Sequence, residues 1–198
     1  MNLTEVIAKI CFLGVPTLID KFTADDYRAL PEGGHPRYQL VEGELIVSPS
    51  PSWLHQKILL NLFRILDAHL GKQPIGEIAI APVDVYLTEH DVLQPDLLFI
   101  SKERSHLIRE DGVHGSPDLV IEILSPSNAQ LDKTRKRIVY AAGGVRELWL
   151  VDPILRQVHV YEFAKNPTKA IQILDDDDLL QSSVLVGFAA PVGQVFRS

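Results

Sequence analysis

Short apolar runs and helical stripes alternate along the chain, and this pattern predicts a mixed α/β domain. Residues 92–100 and 117–124 are apolar runs of strand-forming residues, and residues 147–152 form a third. Near-continuous runs of this kind are typical of strands buried on both faces of a sheet. Residues 38–47 are predicted to form a hairpin, in which Gly43 supplies the positive φ of a tight turn. Further strands are predicted over residues 77–87, with a break at Pro82, over residues 157–163 and 170–174, and near Val184.

Two main helices are predicted in other segments, the first of them because its apolar residues recur every three or four positions. The first follows residues 48–52 and ends at Gly71. The second is capped by Ser127 or Asn128 and runs to about Ala142. The apolar stripe of the first helix consists of Leu59, Leu62, Phe63, Leu66 and Leu70.

A chain of 198 residues is long enough for one well-buried domain, residues 1–198. We expect residues 1–22 to form a helical N-terminal extension, residues 23–163 the core, and residues 164–198 C-terminal strands that form a hairpin. The predicted fold class is therefore α/β (α+β), with a mixed central β-sheet flanked by helices.

Composition narrows the functional classes. The single cysteine, Cys11, excludes an intrachain disulfide and a cysteine-based zinc site. The apolar runs are too short for a transmembrane helix, and the N-terminal residues lack a signal-peptide pattern, so we expect a cytoplasmic protein with no membrane association. The net charge of −7 argues against a protein that coats DNA through a basic surface. It argues less against a nuclease, because a Mg²⁺ site is itself acidic.

Two carboxylates interrupt the apolar runs where burial is expected. Asp96 lies within residues 92–100, and Glu122 lies within residues 117–124. A buried carboxylate costs roughly several kcal/mol of desolvation unless a cation or hydrogen-bond donors compensate it. Either residue alone is also explained as a strand-end cap or an ion-pair partner. Two of them on neighbouring strands indicate a divalent metal ion and hydrolysis of a phosphodiester.

The helix that follows the Glu122 strand supplies a candidate cation. Asp132, Lys136 and Tyr140 are spaced at i, i+4 and i+8, so they share one helix face. If the helix packs beside the Glu122 strand, Lys136 is placed to stabilise charge in a phosphoryl transition state. The alternative is a solvated face on which Asp132 and Lys136 form a weak i,i+4 pair.

Other acids and one histidine are candidates for supporting roles. Glu42 and Glu44 flank the Gly43 turn, where they are either exposed or auxiliary metal ligands. His55 opens the first helix and is either a half-buried structural residue or a neighbour of the site. Asp84 and Asp118 are interpreted either as further polar neighbours of the site or as strand-edge caps, rather than as ligands. The chain has no glycine-rich phosphate loop, no Gly-x-Ser-x-Gly elbow and no His-Glu-x-x-His pair.

Taken in order, several of these segments resemble one known family. The segments are Arg37 to Glu44, Ser48-Pro49 followed by His55, Gln94-Pro95-Asp96, Pro117 to Ser127, Asp132…Lys136…Tyr140, and Gly144 to Pro153. They resemble the Uma-type restriction endonucleases, a bacterial family of the PD-(D/E)XK nuclease superfamily. The resemblance covers residues 23–163.

The resemblance implies a restriction-endonuclease-like PD-(D/E)XK core in which Asp96 and Glu122 are the metal-binding carboxylates. It also implies cleavage of DNA by an activated water with Mg²⁺ or Mn²⁺ and without a covalent intermediate. The chain departs from this pattern at two positions. The usual lysine position holds Leu124, for which the resemblance implies Lys136 as a replacement from the next helix. Gln39 stands where the family commonly has an acid.

Three functions therefore compete. The leading hypothesis is a Mg²⁺-dependent DNA endonuclease, acting as a homodimer because double-strand cleavage requires two sites. Its rival is an inactive binding or regulatory module in which the carboxylates pair with Lys136 and Arg135. A third reading, a metal-dependent hydrolase of another phosphoester, is not separable from the first by sequence. If DNA binds, its contact patch is predicted to comprise Lys133, Arg135, Lys136 and Arg137.

Overall fold

The computed structural model describes residues 21–30, 37–126 and 129–197. The predicted N-terminal helical stripe, within residues 1–20, and the capping residues Ser127 and Asn128 lie outside these ranges. The mixed α/β class predicted from the sequence is confirmed, but the described strands form two six-stranded sheets and a small hairpin rather than one central sheet. In these three ranges, no helix is both long enough and apolar enough to cross a membrane.

The first sheet carries the strands predicted to be buried. Its order is β12-β11-β10-β9-β6-β3, and only β9 and β10 run parallel. Strand β9 is buried at every position. The strands are β3 (Gly76–Ile80), β6 (Leu97–Ser101), β9 (Leu119–Ile123), β10 (Glu147–Asp152), β11 (Gln157–Glu162) and β12 (Gln172–Leu174).

The second sheet is formed mainly by hairpins, with the order β2-β1-β5-β4-β8-β7. Only β4 and β8 are parallel in it. The predicted hairpin is confirmed as β1 and β2, joined through Gly43 with φ of 80°. The strands are β1 (Arg37–Val41), β2 (Glu44–Ser48), β4 (Val85–Thr88), β5 (Asp91–Leu93), β7 (Ile108–Arg109) and β8 (Gly112–His114).

Two of the predicted runs are each divided between the sheets, and one of them is divided at the predicted break. The run over residues 77–87 breaks near Pro82 into β3 and β4, and the run over residues 92–100 breaks at residues 94–96 into β5 and β6. Proline cannot donate to a strand ladder, so both breaks fall at or beside a proline. The sequence predicted that Asp96 lies within a strand. This prediction is wrong, because Asp96 lies where the chain crosses from one sheet to the other.

Five helical segments carry or support the side chains that are described below. They are α1 (Ala24–Arg28), α2 (Trp53–Leu70), α3 (Ala129–Leu131), a π-helical turn π1 (Asp132–Lys136) and α4 (Arg137–Gly143). The last three follow one another without a break and correspond to the second predicted helix. That helix ends at Gly144, which adopts the left-handed conformation with φ of 89°.

The two main helices cover opposite faces of the first sheet. Ile58, Leu62 and Leu66 of α2 pack in one core cluster with Leu119 and Ile121 of β9. Val139 and Tyr140 of α4 pack in a second cluster with Val120 and Leu124. Because side chains alternate along a strand, Glu122 shares the face of Val120 and Leu124. The chain thus directs Glu122 toward the π1–α4 helix.

The C-terminal segment forms the predicted hairpin, but its strands differ from the prediction. Strands β13 (Leu179–Gln181) and β14 (Ala189–Pro191) pair antiparallel, and Val184 lies in the connection between them. This connection is attached to the first sheet because Ser183 donates through its backbone N and its hydroxyl to the fully buried Glu147.

Candidate functional site

One cavity of about 460 Å³ lies where the two sheets and both main helices meet. Its lining comes from β1, β2, α2, β9, π1 and the crossing at residues 94–96. The charged and imidazole groups in the lining are Arg37, His55, Asp96, Glu122, Asp132 and Lys136. Segments distant in the sequence therefore converge on one polar cavity.

Asp96 is fixed by two contacts to a single carboxylate oxygen. Its Oδ2 accepts a 2.7 Å hydrogen bond from the backbone N of Ile123 and lies 3.1 Å from His55 Nε2. Its Oδ1 accepts no hydrogen bond from any residue in the described ranges. The bond to Ile123 brings Asp96 beside Glu122, because Ile123 is the next residue along β9.

Glu122 is almost fully buried and binds two donors through the same oxygen. Its Oε1 accepts from Lys136 Nζ at 3.1 Å and from the Tyr140 hydroxyl at 2.6 Å. Its Oε2 accepts no hydrogen bond from the described part of the chain. Burial raises the pKa of Glu122 to about 8; Lys136 opposes this shift, whereas Asp132 and Asp96 add to it. Because Lys136, Asp132 and Asp96 all affect the pKa of Glu122, the four side chains belong to one site.

Lys136 bridges two carboxylates. Its Nζ lies 3.1 Å from Glu122 Oε1 and 3.1 Å from Asp132 Oδ1, the latter an ion-pair contact without hydrogen-bond geometry. Burial would lower the pKa of Lys136, but the two carboxylates outweigh burial and hold that pKa above its ordinary value. Burial also raises the pKa of Asp132. Lys136 is consequently a protonated donor at neutral pH.

His55 reaches the site from the first turn of α2. The helix begins after Ser52, whose hydroxyl accepts from the His55 backbone N at 3.2 Å. The imidazole is buried, and its Nδ1 has no hydrogen-bond partner. A ring that donates from Nε2 to Asp96 carries a lone pair on Nδ1, so this tautomer leaves no buried N–H unsatisfied.

Most of the site residues predicted from the sequence come together. The cavity brings Asp96, Glu122, Asp132, Lys136 and His55 into one lining, and Tyr140 lies behind Glu122. The expected packing of the second helix beside the Glu122 strand also occurs. These are placements of side chains; the catalytic roles of the residues stay predictions.

The structure does not bring Glu42 and Glu44 to this cavity. Both carboxylates are exposed at the hairpin and accept from Arg135, each at 2.8 Å. Arg135 also donates to the backbone oxygen of Val41. The pairing of Arg135 with the site carboxylates, expected for the binding-module hypothesis, is likewise absent from the described contacts, whereas the pairing of Lys136 with Glu122 is present.

The predicted basic patch is largely engaged in contacts within the chain. Lys133 lies 3.3 Å from Asp152, and Arg137 donates to the backbone oxygen of Pro167. Lys136 is buried in the cavity. The helix thus directs these cations to different partners within the chain, and the DNA-contact patch stays a prediction.

Sequence reasoning missed a polar chain on the second sheet. Gln39 donates to Ser48 Oγ at 2.7 Å and accepts from the Gln94 backbone N at 3.0 Å. Arg37 lines the cavity as well. Arg37 and Gln39 are two residues apart on β1, so they share one strand face. This spacing is enough to predict from the sequence that Arg37 lies beside Gln39.

The donor set fits a hard divalent cation that keeps most of its water. In the described ranges, no cluster of three or more His, Cys, Asp or Glu residues is spaced to enclose a metal ion. Asp96 and Glu122 nevertheless each retain one carboxylate oxygen without a hydrogen-bond donor. Mg²⁺ is usually bound through one or two carboxylates and several waters. The residues present therefore suit Mg²⁺ or Mn²⁺ and would hold it through Asp96 and Glu122.

Comparison with known proteins agrees with this architecture. The Uma2 family, described as "Putative restriction endonuclease", matches residues 24–193. An uncharacterised Synechocystis sp. protein, sll1609, is 26% identical over 142 residues, covering 71% of this chain and 80% of that protein. The fold is similar to a crystal structure from Anabaena variabilis described as a putative nuclease belonging to DUF820. Its TM-score is 0.74 at 24% identity, covering 88% of this chain and 97% of that one. The chain belongs to the Uma2 family of putative restriction endonucleases.

Proposed function

We propose that this protein is a Mg²⁺- or Mn²⁺-dependent endonuclease that hydrolyses phosphodiester bonds of DNA. One observation carries the proposal: Asp96 and Glu122 line the same cavity, and each keeps one oxygen free of hydrogen-bond donors. Neither of these two oxygens is a buried atom without a partner, so both are accessible from the cavity, where a cation can bind. Membership of the family supports the same reaction class.

The charge of the cavity supports a requirement for a cation. Three carboxylates line it, those of Asp96, Glu122 and Asp132, against two cations, Arg37 and Lys136. A phosphodiester entering this cavity meets net negative charge when the carboxylates are ionised. Asp96 and Glu122 would hold a divalent cation that offsets this repulsion, and the cation would supply Lewis-acid polarisation of the phosphate and acidification of water.

The residues of the chain then have separate roles. Asp96 is oriented by Ile123 and His55, and Glu122 by Tyr140 and Lys136, so both carboxylates are fixed before substrate arrives. Such preorganisation lowers the reorganisation needed during the reaction. Because Lys136 stays protonated, it acts as an electrostatic stabiliser of the phosphoryl transition state and not as a general base.

A catalytically inactive binding module is the second candidate, favoured by one contact. Lys136 already neutralises Glu122 at 3.1 Å, an arrangement that needs no metal ion. Calorimetric titration with Mg²⁺ or Mn²⁺ separates the two hypotheses. Saturable binding that is lost in Glu122→Gln supports the enzyme, whereas no binding by the wild-type chain supports the module.

Nicking of supercoiled plasmid in Mn²⁺ tests the reaction itself. We expect Asp96→Asn and Lys136→Ala to abolish nicking, while Glu44→Gln retains it because that carboxylate lies outside the cavity. Nicking that survives both cavity substitutions contradicts the proposed site. Cleavage of both strands requires two such cavities, so we also propose a homodimer, measurable by sedimentation. The cytoplasmic location stays a prediction.

A further inference from the structure

A second groove lies along helix α2, next to Ile80 of β3. It encloses about 500 Å³ and is lined mainly by apolar groups. Its dominant feature is Trp53, whose exposed fraction of 85% is the highest among the large hydrophobic residues of the described ranges. Leu60 and Ile80 add further exposed apolar surface, at 46% and 43%. An exposed tryptophan beside other exposed apolar residues marks an interaction surface.

The groove combines this aromatic surface with positive charge. Trp53, Lys57, Leu60 and Arg64 are spaced at i, i+4, i+7 and i+11, so they form one stripe along α2. Two cations line the groove, and no carboxylate among the described residues does. In a chain with a net charge of −7, this surface is locally complementary to an anion.

The groove is also continuous with the candidate catalytic cavity. Gln56 and Leu59 line both. Ile80, at the groove, pairs in register with Leu97, the residue that follows Asp96. The groove and the cavity therefore adjoin each other at Gln56 and Leu59 of α2.

We propose that this groove binds an unpaired nucleotide of the DNA substrate, with a base stacked on Trp53 and neighbouring phosphates contacting Lys57 and Arg64. This inference rests on the proposed nuclease function. Aromatic stacking platforms with adjacent cations are the general means by which proteins hold single strands. Bases inside a duplex are already stacked on each other, so their faces are not available to an indole. The groove accordingly favours DNA with unpaired nucleotides beside the scissile bond: a single strand, or a duplex with an unpaired end, a gap or a locally melted segment of the kind that supercoiled plasmid contains.

Binding is tested without cleavage by titrating the wild-type chain with oligodeoxythymidylate in the absence of divalent cations. We expect the emission of Trp53 to be quenched, since the second tryptophan, Trp149, is fully buried. Trp53→Ala should weaken binding by about tenfold, whereas Trp53→Phe should retain most of the affinity. A duplex of equal length should bind more weakly than the single strand.

The charged residues are tested through salt dependence. Substituting Lys57 and Arg64 by alanine should reduce the slope of log affinity against log salt by about 0.7 for each lost phosphate contact. Ile154→Ala is the matched apolar control, because Ile154 is 76% exposed on the turn after β10. Lys102→Ala is the matched cationic control, because Lys102 is exposed and follows the end of β6 opposite to Asp96. Both controls should bind as the wild type does.

Defined outcomes overturn the inference. The inference is contradicted if the wild type and Trp53→Ala bind single strands with equal affinity. It is also contradicted if the chain self-associates without DNA and Trp53→Ala abolishes this self-association, because the groove then binds a second copy of the chain. If plasmid nicking also persists unchanged in Trp53→Ala, the groove proposal fails and the nuclease stands. If the wild-type chain binds single strands through Trp53 but cleaves no DNA, the groove proposal is supported and the nuclease proposal is contradicted.

Discussion

Tyr140 donates a 2.6 Å hydrogen bond to the same Glu122 oxygen that Lys136 contacts at 3.1 Å. All three side chains are buried. The carboxylate is thereby held on one side by two donors, and its other oxygen has no donor among the described residues. This arrangement fixes the orientation of Glu122 more tightly than a single ion pair does.

Removing the hydroxyl in Tyr140→Phe tests that constraint. Loss of this buried hydrogen bond should lower the free energy of unfolding by about 1–3 kcal/mol. The hydroxyl lowers the pKa of Glu122, so its removal should raise that pKa further and move the rising limb of the nicking rate to higher pH. Urea unfolding and a pH–rate profile measure the two effects. An unchanged pH–rate profile contradicts the positioning role.

Lys136→Met leaves Glu122 and Asp132 without their shared cation. Above pH 8, where Glu122 is ionised, breaking one partner of this buried ion pair costs about 3–5 kcal/mol, because the remaining charge is uncompensated. In the Glu122→Gln background the same change should cost less. A double-mutant cycle by urea unfolding measures the difference, with Lys133→Met as the control on the same helix. Equal costs in both backgrounds contradict the coupling.

Ionisation of Glu122 should make stability fall as pH rises. Burial raises its pKa from an ordinary 4.5 to about 8, so between these values the folded chain keeps a proton that the unfolded chain has lost. The stabilising contribution is complete below pH 4.5 and is lost as pH rises through about 8, by at most about 1.4 kcal/mol per pH unit. Glu122→Gln should flatten the profile of unfolding free energy against pH, whereas Glu44→Gln should not. A wild-type profile that rises across this range contradicts the assignment.

Gln39→Glu should strengthen cation binding. The substitution adds a carboxylate to the cavity lining and preserves the acceptor for the Gln94 backbone N; Ser48 Oγ can then donate to the new carboxylate instead of accepting. We expect the affinity for Mn²⁺ to rise severalfold in a calorimetric titration. Glu44→Gln should leave that affinity unchanged, because Glu44 is paired with Arg135 outside the cavity. A drop in affinity in Gln39→Glu argues against Gln39 facing the bound ion.

The central residues of the site could be predicted because a carboxylate inside an apolar run of the sequence is expected to be buried. Glu122 has apolar neighbours on both sides, and its helix partners Lys136 and Tyr140 follow from spacing. The positions of Glu42 and Glu44 could not be predicted, since Arg135 reaches them across more than ninety positions of sequence. Nor could the division into two sheets, because Pro82 and Pro95 signal a break without showing which neighbours each half pairs with.

The π-helical turn between Leu131 and Arg137 has a consequence for the length of this segment. Hydrogen bonding from i to i+5 accommodates one residue more than an α-helical turn of the same span. A single deletion there would restore regular winding and rotate either Asp132 or Tyr140 away from Glu122. This stretch is therefore less tolerant of a change in residue number than of a change in residue type, and alignments of relatives should be anchored on both of its ends.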